Sequence, residues 1–174
     1  MPKIGEIKIE KGAVVCVEAQ IEGDFSVEIG AKTVIHPKAR IIAERGPIKI
    51  GTDNLIEEYV VIRNTRTEPL IIGDGNIFEI QTKFEGIKIG DRNIFEVRSL
   101  ITGDVEVTTG CIFGIGASLA RPEIVKPKTV LTDQDGILCR RNAEIMPATN
   151  TTHITFLHRI LPNYHYLKET FENK

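Results

Sequence analysis

Aliphatic residues recur about every sixth position along the chain, and every third recurrence opens a nearly identical phrase. Ile50-Gly51-Thr52-Asp53-Asn54-Leu55-Ile56-Glu57 returns as Ile72-Gly73-Asp74-Gly75-Asn76-Ile77-Phe78-Glu79 and again as Ile89-Gly90-Asp91-Arg92-Asn93-Ile94-Phe95-Glu96. A six-residue period of this kind predicts a parallel β-helix, in which each hexad is one short strand and one corner.

The phrase starts are Ile9, Ile29, Ile50, Ile72, Ile89, Val107 and Val125, spaced by 20, 21, 22, 17, 18 and 18 residues. Three hexads make one triangular turn of about 18 residues, so the pattern predicts about seven coils. The first two hexads of each coil keep their spacing, and the length variation falls in the third, at one corner of the prism. Strand alternation points each central aliphatic residue inward and its neighbours outward. Glycine, asparagine and threonine collect where corners demand unusual backbone angles. Hexads of this kind resemble the left-handed β-helix; the usual crossover preference would favour the opposite hand.

Stacked coils turn sequence positions into columns. Ala13, Thr33, Asn54, Asn76, Asn93, Cys111 and Thr129 share one corner, predicting an asparagine ladder that bonds along the stack. Val14, Val34, Leu55, Ile77, Ile94, Ile112 and Val130 form an outward column on the second face, and all are aliphatic. An apolar stripe of that length needs a cover. The matching outward columns of the other faces are mostly polar. Beside the stripe run Cys16, His36, Glu57, Glu79, Glu96, Gly114 and Thr132. Their three carboxylates repel one another and read either as a solvated edge or as a contact line for basic side chains. A His36–Glu57 hydrogen bond is expected.

From Thr151 the period changes. Ile154, Leu157, Ile160, Leu161, Tyr164, Leu167 and Phe171 follow at three- and four-residue steps, predicting a helix that lies along the second face and buries part of the stripe. Thr151 or Thr152 is placed to cap it, and Pro162 to kink or split it near Leu161. The expected organisation is a β-helix over 1–137, a connection over 138–150 and a helical segment over 151–174. Asp133-Gln134-Asp135 reads as a turn.

At 174 residues the chain supports one domain. A net charge of −2 gives no electrostatic case for nucleic acid or anionic membrane. No apolar run is long enough to span a bilayer, and no signal-peptide pattern opens the chain. Cys16, Cys111 and Cys139 are scattered, which points to a reducing compartment rather than a disulfide framework or a zinc site.

Two chemistries common on this scaffold, acyl transfer and zinc-dependent hydration of carbon dioxide, need histidines on the coils. Of four histidines only His36 is there. His153 and His158 are five residues apart, about 140° around a helix, and Pro162 separates His158 from His165. Cys16 and Cys111 carry no signal of a nucleophile. The reading is of a chain with no catalytic, cofactor or metal residues. The alternative is a homotrimeric acyltransferase or carbonic-anhydrase-like enzyme.

Longer phrases are more specific than the hexad. Gly12 to Glu18, Thr33 to Glu44, Gly46-Pro47-Ile48, Gly51 to Glu58 and Ile160-Leu161-Pro162-Asn163-Tyr164-His165 resemble the dynactin subunit 6 family over nearly the whole chain. That resemblance implies a left-handed β-helix without catalytic activity, in the cytoplasm and associated with the cytoskeleton. It implies a place in the dynactin pointed-end complex, paired with the β-helix of dynactin subunit 5 beside an actin-related protein and the zinc-containing subunit 4. Through that complex it implies support of dynein-dependent cargo transport, with adaptors as indirect partners. The loop Arg63 to Leu70 is short for the family and the chain stops soon after the helix, so roles of a longer loop or tail do not carry over. Candidate contact residues are Val14, Val34, Leu55, Glu57 and Glu79, with Arg45, Arg63 and Arg66 as a polar rim. The first coil, Ile7 to Gln20, has no evident cap and is a further candidate for a neighbouring subunit.

Overall fold

Ile50 stands in parallel register between Ile29 and Ile72, and Phe95 between Phe78 and Phe113. Equivalent hexad positions therefore stack, as the spacing predicted. The computed structural model describes residues 5–170; Phe171, expected on the apolar face of the helix, lies outside them. Every third strand joins the same sheet. Seven strands form the first face, from Ile7–Ile9 to Glu123–Val125, and six form the third, from Gln20–Glu22 to Ser118–Leu119. The second face runs from Val14–Val15 to Thr129–Gln134 and gains an eighth, antiparallel strand, Ile137–Asn142. The coil is thus complete six times, with two sides of a seventh.

The interior is a continuous column of Ile, Val and Phe. The rings of Phe78, Phe95 and Phe113 stack nearly parallel, at centroid distances of 4.7 and 5.0 Å, and Phe84 meets Phe95 edge-on. At the first corner Lys32, Asp53, Arg92 and Lys128 adopt positive φ, where other coils place Gly12, Gly75 and Gly110. That conformation is unfavourable for residues with a Cβ. It is held because each such amide donates to the coil before it: Asp53 to the Ala31 carbonyl (3.1 Å) and Arg92 to the Asp74 carbonyl (2.8 Å), for example. The asparagine ladder sits next to this corner, fully buried. Each side-chain oxygen accepts from the backbone N–H of the next coil, and each side-chain amide donates to a turn carbonyl of the next coil.

After the hairpin the chain travels back along the prism. Ala143 N donates to Lys128 O (2.7 Å), and Arg92 Nη2 donates to Pro147 O (2.7 Å). Helix α1 (Thr151–Tyr164) then crosses the early coils. The segment expected as a plain connection from residue 138 is therefore strand in its first part. Neither Thr151 nor Thr152 caps α1; Asn150 occupies that position, without a side-chain cap. Pro162 does not split the helix. It lies inside the last turn, where its missing N–H removes one bond, and the backbone becomes extended at His165. Leu167, read as helical, leaves the helix for an antiparallel bridge to Cys16. Among the described residues no helix is long and apolar enough to cross a membrane.

Candidate interaction surfaces

The apolar stripe is covered by the chain itself over its first three coils. Val14, Val34 and Leu55 are buried in a second cluster with Ile154, Leu157 and Leu161 of α1, with Ile77 and Leu167 at its margin. Side chains recurring once per helical turn rise ~5.4 Å against a coil spacing of ~4.8 Å, so one side chain per turn seats over successive coils. Each fully buried aliphatic group contributes on the order of 1.5–3 kcal/mol. Val14, Val34 and Leu55 are consequently not free to meet another subunit, a correction to their reading as contact residues. Ile77, Ile94 and Ile112 remain only half-buried.

The first coil is not open on this face either. Past α1, Tyr166 O accepts from Val17 N (2.8 Å) and Lys168 N donates to Val15 O (2.8 Å). His165 Nδ1 bonds Glu18 Oε1 at 3.2 Å. Residues 166–168 occupy the strand edge next to Val14–Val15, while Ile137–Asn142 closes the opposite edge of the same sheet. The expectation of an uncapped first coil fails here, because helical periodicity concealed a short strand. The first-face and third-face sheets end on unpaired edges among the described residues.

Glu57, Glu79 and Glu96 do not simply repel into solvent. Each lends one oxygen to a corner amide of the next coil: Glu57 Oε2 accepts from Ile80 N (3.1 Å), Glu79 Oε2 from Val97 N (3.0 Å) and Glu96 Oε2 from Ile115 N (3.1 Å). Burial raises the Glu57 carboxyl above its ordinary range, reinforced by the charge of Glu79 and opposed by the Ile80 amide.

His36 bonds Glu58, not Glu57, with Nδ1 and Oε1 2.9 Å apart. Glu58 occupies the corner position after Glu57 and reaches back one coil. Burial alone would raise the Glu58 carboxyl, but the His36 hydrogen bond, its own backbone amide and the charges of His36 and His165 outweigh it and hold it below the ordinary range. The other nitrogen, His36 Nε2, is buried without a partner. A general base must present a nitrogen to its substrate, and this ring presents neither. Cys16 is fully buried, and burial, then Glu18 and Glu58, push its thiol up to about 11. Burial also raises Cys111. Neither cysteine is a thiolate at neutral pH. Among the described residues no three His, Cys, Asp or Glu side chains gather as metal ligands.

Two of the three rim arginines are engaged within the chain. Arg63 Nε donates to Glu44 (2.5 Å) and lies 3.7 Å from Glu85. Arg66 pairs with Asp104 (2.5 Å) and reaches the Glu85 carbonyl (3.2 Å). Asn64 holds the adjoining loop, donating to the Pro47 and Glu68 carbonyls and accepting from Arg66 N. Arg45 alone keeps an exposed side chain with no ion pair among the described residues.

No family model matches the chain. Dynactin subunit 6 of Xenopus tropicalis is 42% identical over 181 residues, covering 98% of this chain and 88% of that one. The chain belongs to the dynactin subunit 6 family. Dynactin subunit 6 of Danio rerio is 43% identical over 179 residues, covering 96% of this chain and 90% of its own. Among solved structures, a hexapeptide transferase family protein from Anaplasma phagocytophilum superposes with a TM-score of 0.69 at 18% identity, over 91% of this chain and 88% of that one. That likeness shows the fold, a left-handed parallel β-helix, and carries no activity across.

Proposed function

We propose that this chain is a non-catalytic structural subunit of the dynactin pointed-end complex. It stands there beside the β-helix of dynactin subunit 5, near an actin-related protein and dynactin subunit 4, and supports dynein-dependent cargo transport in the cytoplasm on the cytoskeleton. The observation that carries the reading is its likeness to dynactin subunit 6 along nearly the full length of both chains. One of the two chemistries common on this scaffold, acyl transfer, is disfavoured by His36: one ring nitrogen is bonded to Glu58 and the other is buried. A chain of this form acts by presenting a rigid surface. Candidate contacts are then Glu79, beside the half-buried Ile77 where the cover ends, Glu57 one coil earlier, and Arg45 at the third corner.

Size exclusion with light scattering tests this reading on the chain alone and mixed with dynactin subunit 5 from the same source. A one-to-one complex is expected. A homotrimer that ignores the added subunit, together with turnover of an acyl donor, would overturn it.

A further inference from the structure

Among the described residues, the buried side-chain nitrogens without a hydrogen-bond partner are His36 Nε2 and Arg92 Nε. Both lie on the seam between the C-terminal segment and the coils. His36 follows Val34–Ile35, the strand on which α1 packs, and shares a column with Cys16, which pairs with Leu167. Arg92 holds Pro147 through Nη2. A buried polar atom left unpaired penalises the closed arrangement, and opening the seam lets water reach both. Helix α1 is also weak on its own. Asn150 gives no side-chain cap, the first turn has no acid, the last turn has no base, and Pro162 lies inside. Five of the 14 residues are β-branched. So short a helix is marginal in water even when built from good formers. It is held by Ile154, Leu157 and Leu161, its buried side chains. The groove beneath belongs to the coils: Val14, Val34 and Leu55 stand in parallel register and are separate from the axial core. The connection over residues 143–150 is tied to the coils through Ala143 and Pro147.

We propose that coils one to three carry a binding groove for an amphipathic segment of another protein, and that α1 with its strap is a releasable cover which that segment replaces. The occupant is fixed by what is seated there now. Aliphatic residues at i, i+3 and i+7, the spacing of Ile154, Leu157 and Leu161, span about 10.5 Å of helix, against about 9.6 Å for two coil steps. Three extended residues follow and pair with the edge of the first coil, as residues 166–168 do. The rim toward the second corner is acidic, with Glu18, Glu57 and Glu58, whereas α1 carries His153, His158 and Arg159 and no carboxylate. The incoming segment is therefore a short basic amphipathic helix running into a strand, with a cation where His165 meets Glu18.

The probe is a fluorescent peptide of residues 150–168, titrated into the full chain. The chain carrying Leu157→Asp, its own cover released, is expected to bind the peptide at least about tenfold more tightly than wild type, because no tethered copy competes. A peptide carrying Leu157→Asp is expected not to bind. One carrying His165→Glu and Lys168→Glu is expected to bind about tenfold more weakly, with the loss growing at low salt. With an isotope-labelled wild-type chain, saturating peptide is expected to strip hydrogen-exchange protection from residues 151–168 while Val34–Ile35 and Leu55–Ile56 stay protected. Binding that leaves the cover protected puts the peptide elsewhere and overturns the proposal. So does a Leu157→Asp chain that keeps its coils protected and binds no peptide. If that variant loses its coils, the wild-type exchange measurement decides alone, and a cover still protected at the highest peptide concentration overturns it.

Discussion

Asn76 Oδ1 accepts two hydrogen bonds from Asn93, one from its backbone N–H and one from its side-chain amide, both at 3.0 Å. The same contact, repeated from Asn54 to Asn76, ties each coil to the next inside a buried corner. Asn76→Ala strands the two Asn93 donors and the Gly90 carbonyl together. The expected cost is about 2–4 kcal/mol, a large share of a typical stability of about 5–15 kcal/mol. Asn76→Thr should cost less, since Thr33 occupies the same column and its hydroxyl accepts from Asn54 N. Denaturant melts check this; equal loss for both variants would contradict the ladder as a stabilising element.

The cover over the stripe is separable from the coils beneath it. Leu157→Asp places a charge against Val34 and Leu55 and should release α1, while the coils keep their own core. Hydrogen exchange reads the outcome. Protection is lost over residues 151–168, with strands such as Leu55–Ile56 still protected. Uniform loss of protection would mean that helix and coils unfold as one unit.

Glu57 and Glu58 are neighbours with opposite pH behaviour. The carboxyl of Glu57 is raised by burial, so the folded state binds its proton more readily than the unfolded chain. Its contribution to stability falls as pH rises from the ordinary carboxylate range through the raised value. Glu58 is depressed, so its contribution is present above the ordinary range and is lost as pH falls through the lower value. At pH 7 Glu57→Gln keeps an acceptor for Ile80 N, removes the repulsion from Glu79, and should stabilise by about 0.2–1 kcal/mol. Glu58→Gln should destabilise. As pH falls below the ordinary carboxylate range the Glu57→Gln difference shrinks toward zero, and the Glu58→Gln difference follows as pH falls through the lowered Glu58 value. Melting curves of the two variants across this range check the signs.

Thiol chemistry reports on the strap at residues 166–168. Cys139 is half-buried, whereas Cys16 and Cys111 are buried, and Cys16 lies against Leu167. Iodoacetamide at about pH 8, near the ordinary thiol range, should label Cys139 first, with Cys16 reacting only on unfolding or after deletion of residues 165–174. Rapid native labelling of Cys16, read by mass spectrometry, would show the strap open.

The coils were legible because one inward aliphatic per hexad and a fixed corner chemistry repeat with little variation. The stripe at Val14, Val34 and Leu55 and its helical cover were legible for a related reason: an all-aliphatic outward column stands out against polar ones. What escaped was local and short. The Ile137–Asn142 strand carries three charged or amide residues in a row, Arg140-Arg141-Asn142, and looks like a linker until its backbone pairs with Thr129–Gln134. Leu167 continues a helical spacing while lying on a strand. His36 bonds Glu58, while Glu57 in the same neighbourhood turns one oxygen to the Ile80 amide. Pairing of that kind is not visible in a column of letters.

Replacing the native chain with a tagged copy in its own cells, and sedimenting the lysate through a gradient, tests the central claim most directly. The account predicts that the chain migrates with the dynactin assembly, and that it leaves that fraction when dynactin subunit 5 is depleted. A chain found only as a small, self-associated species, indifferent to that depletion, would contradict it.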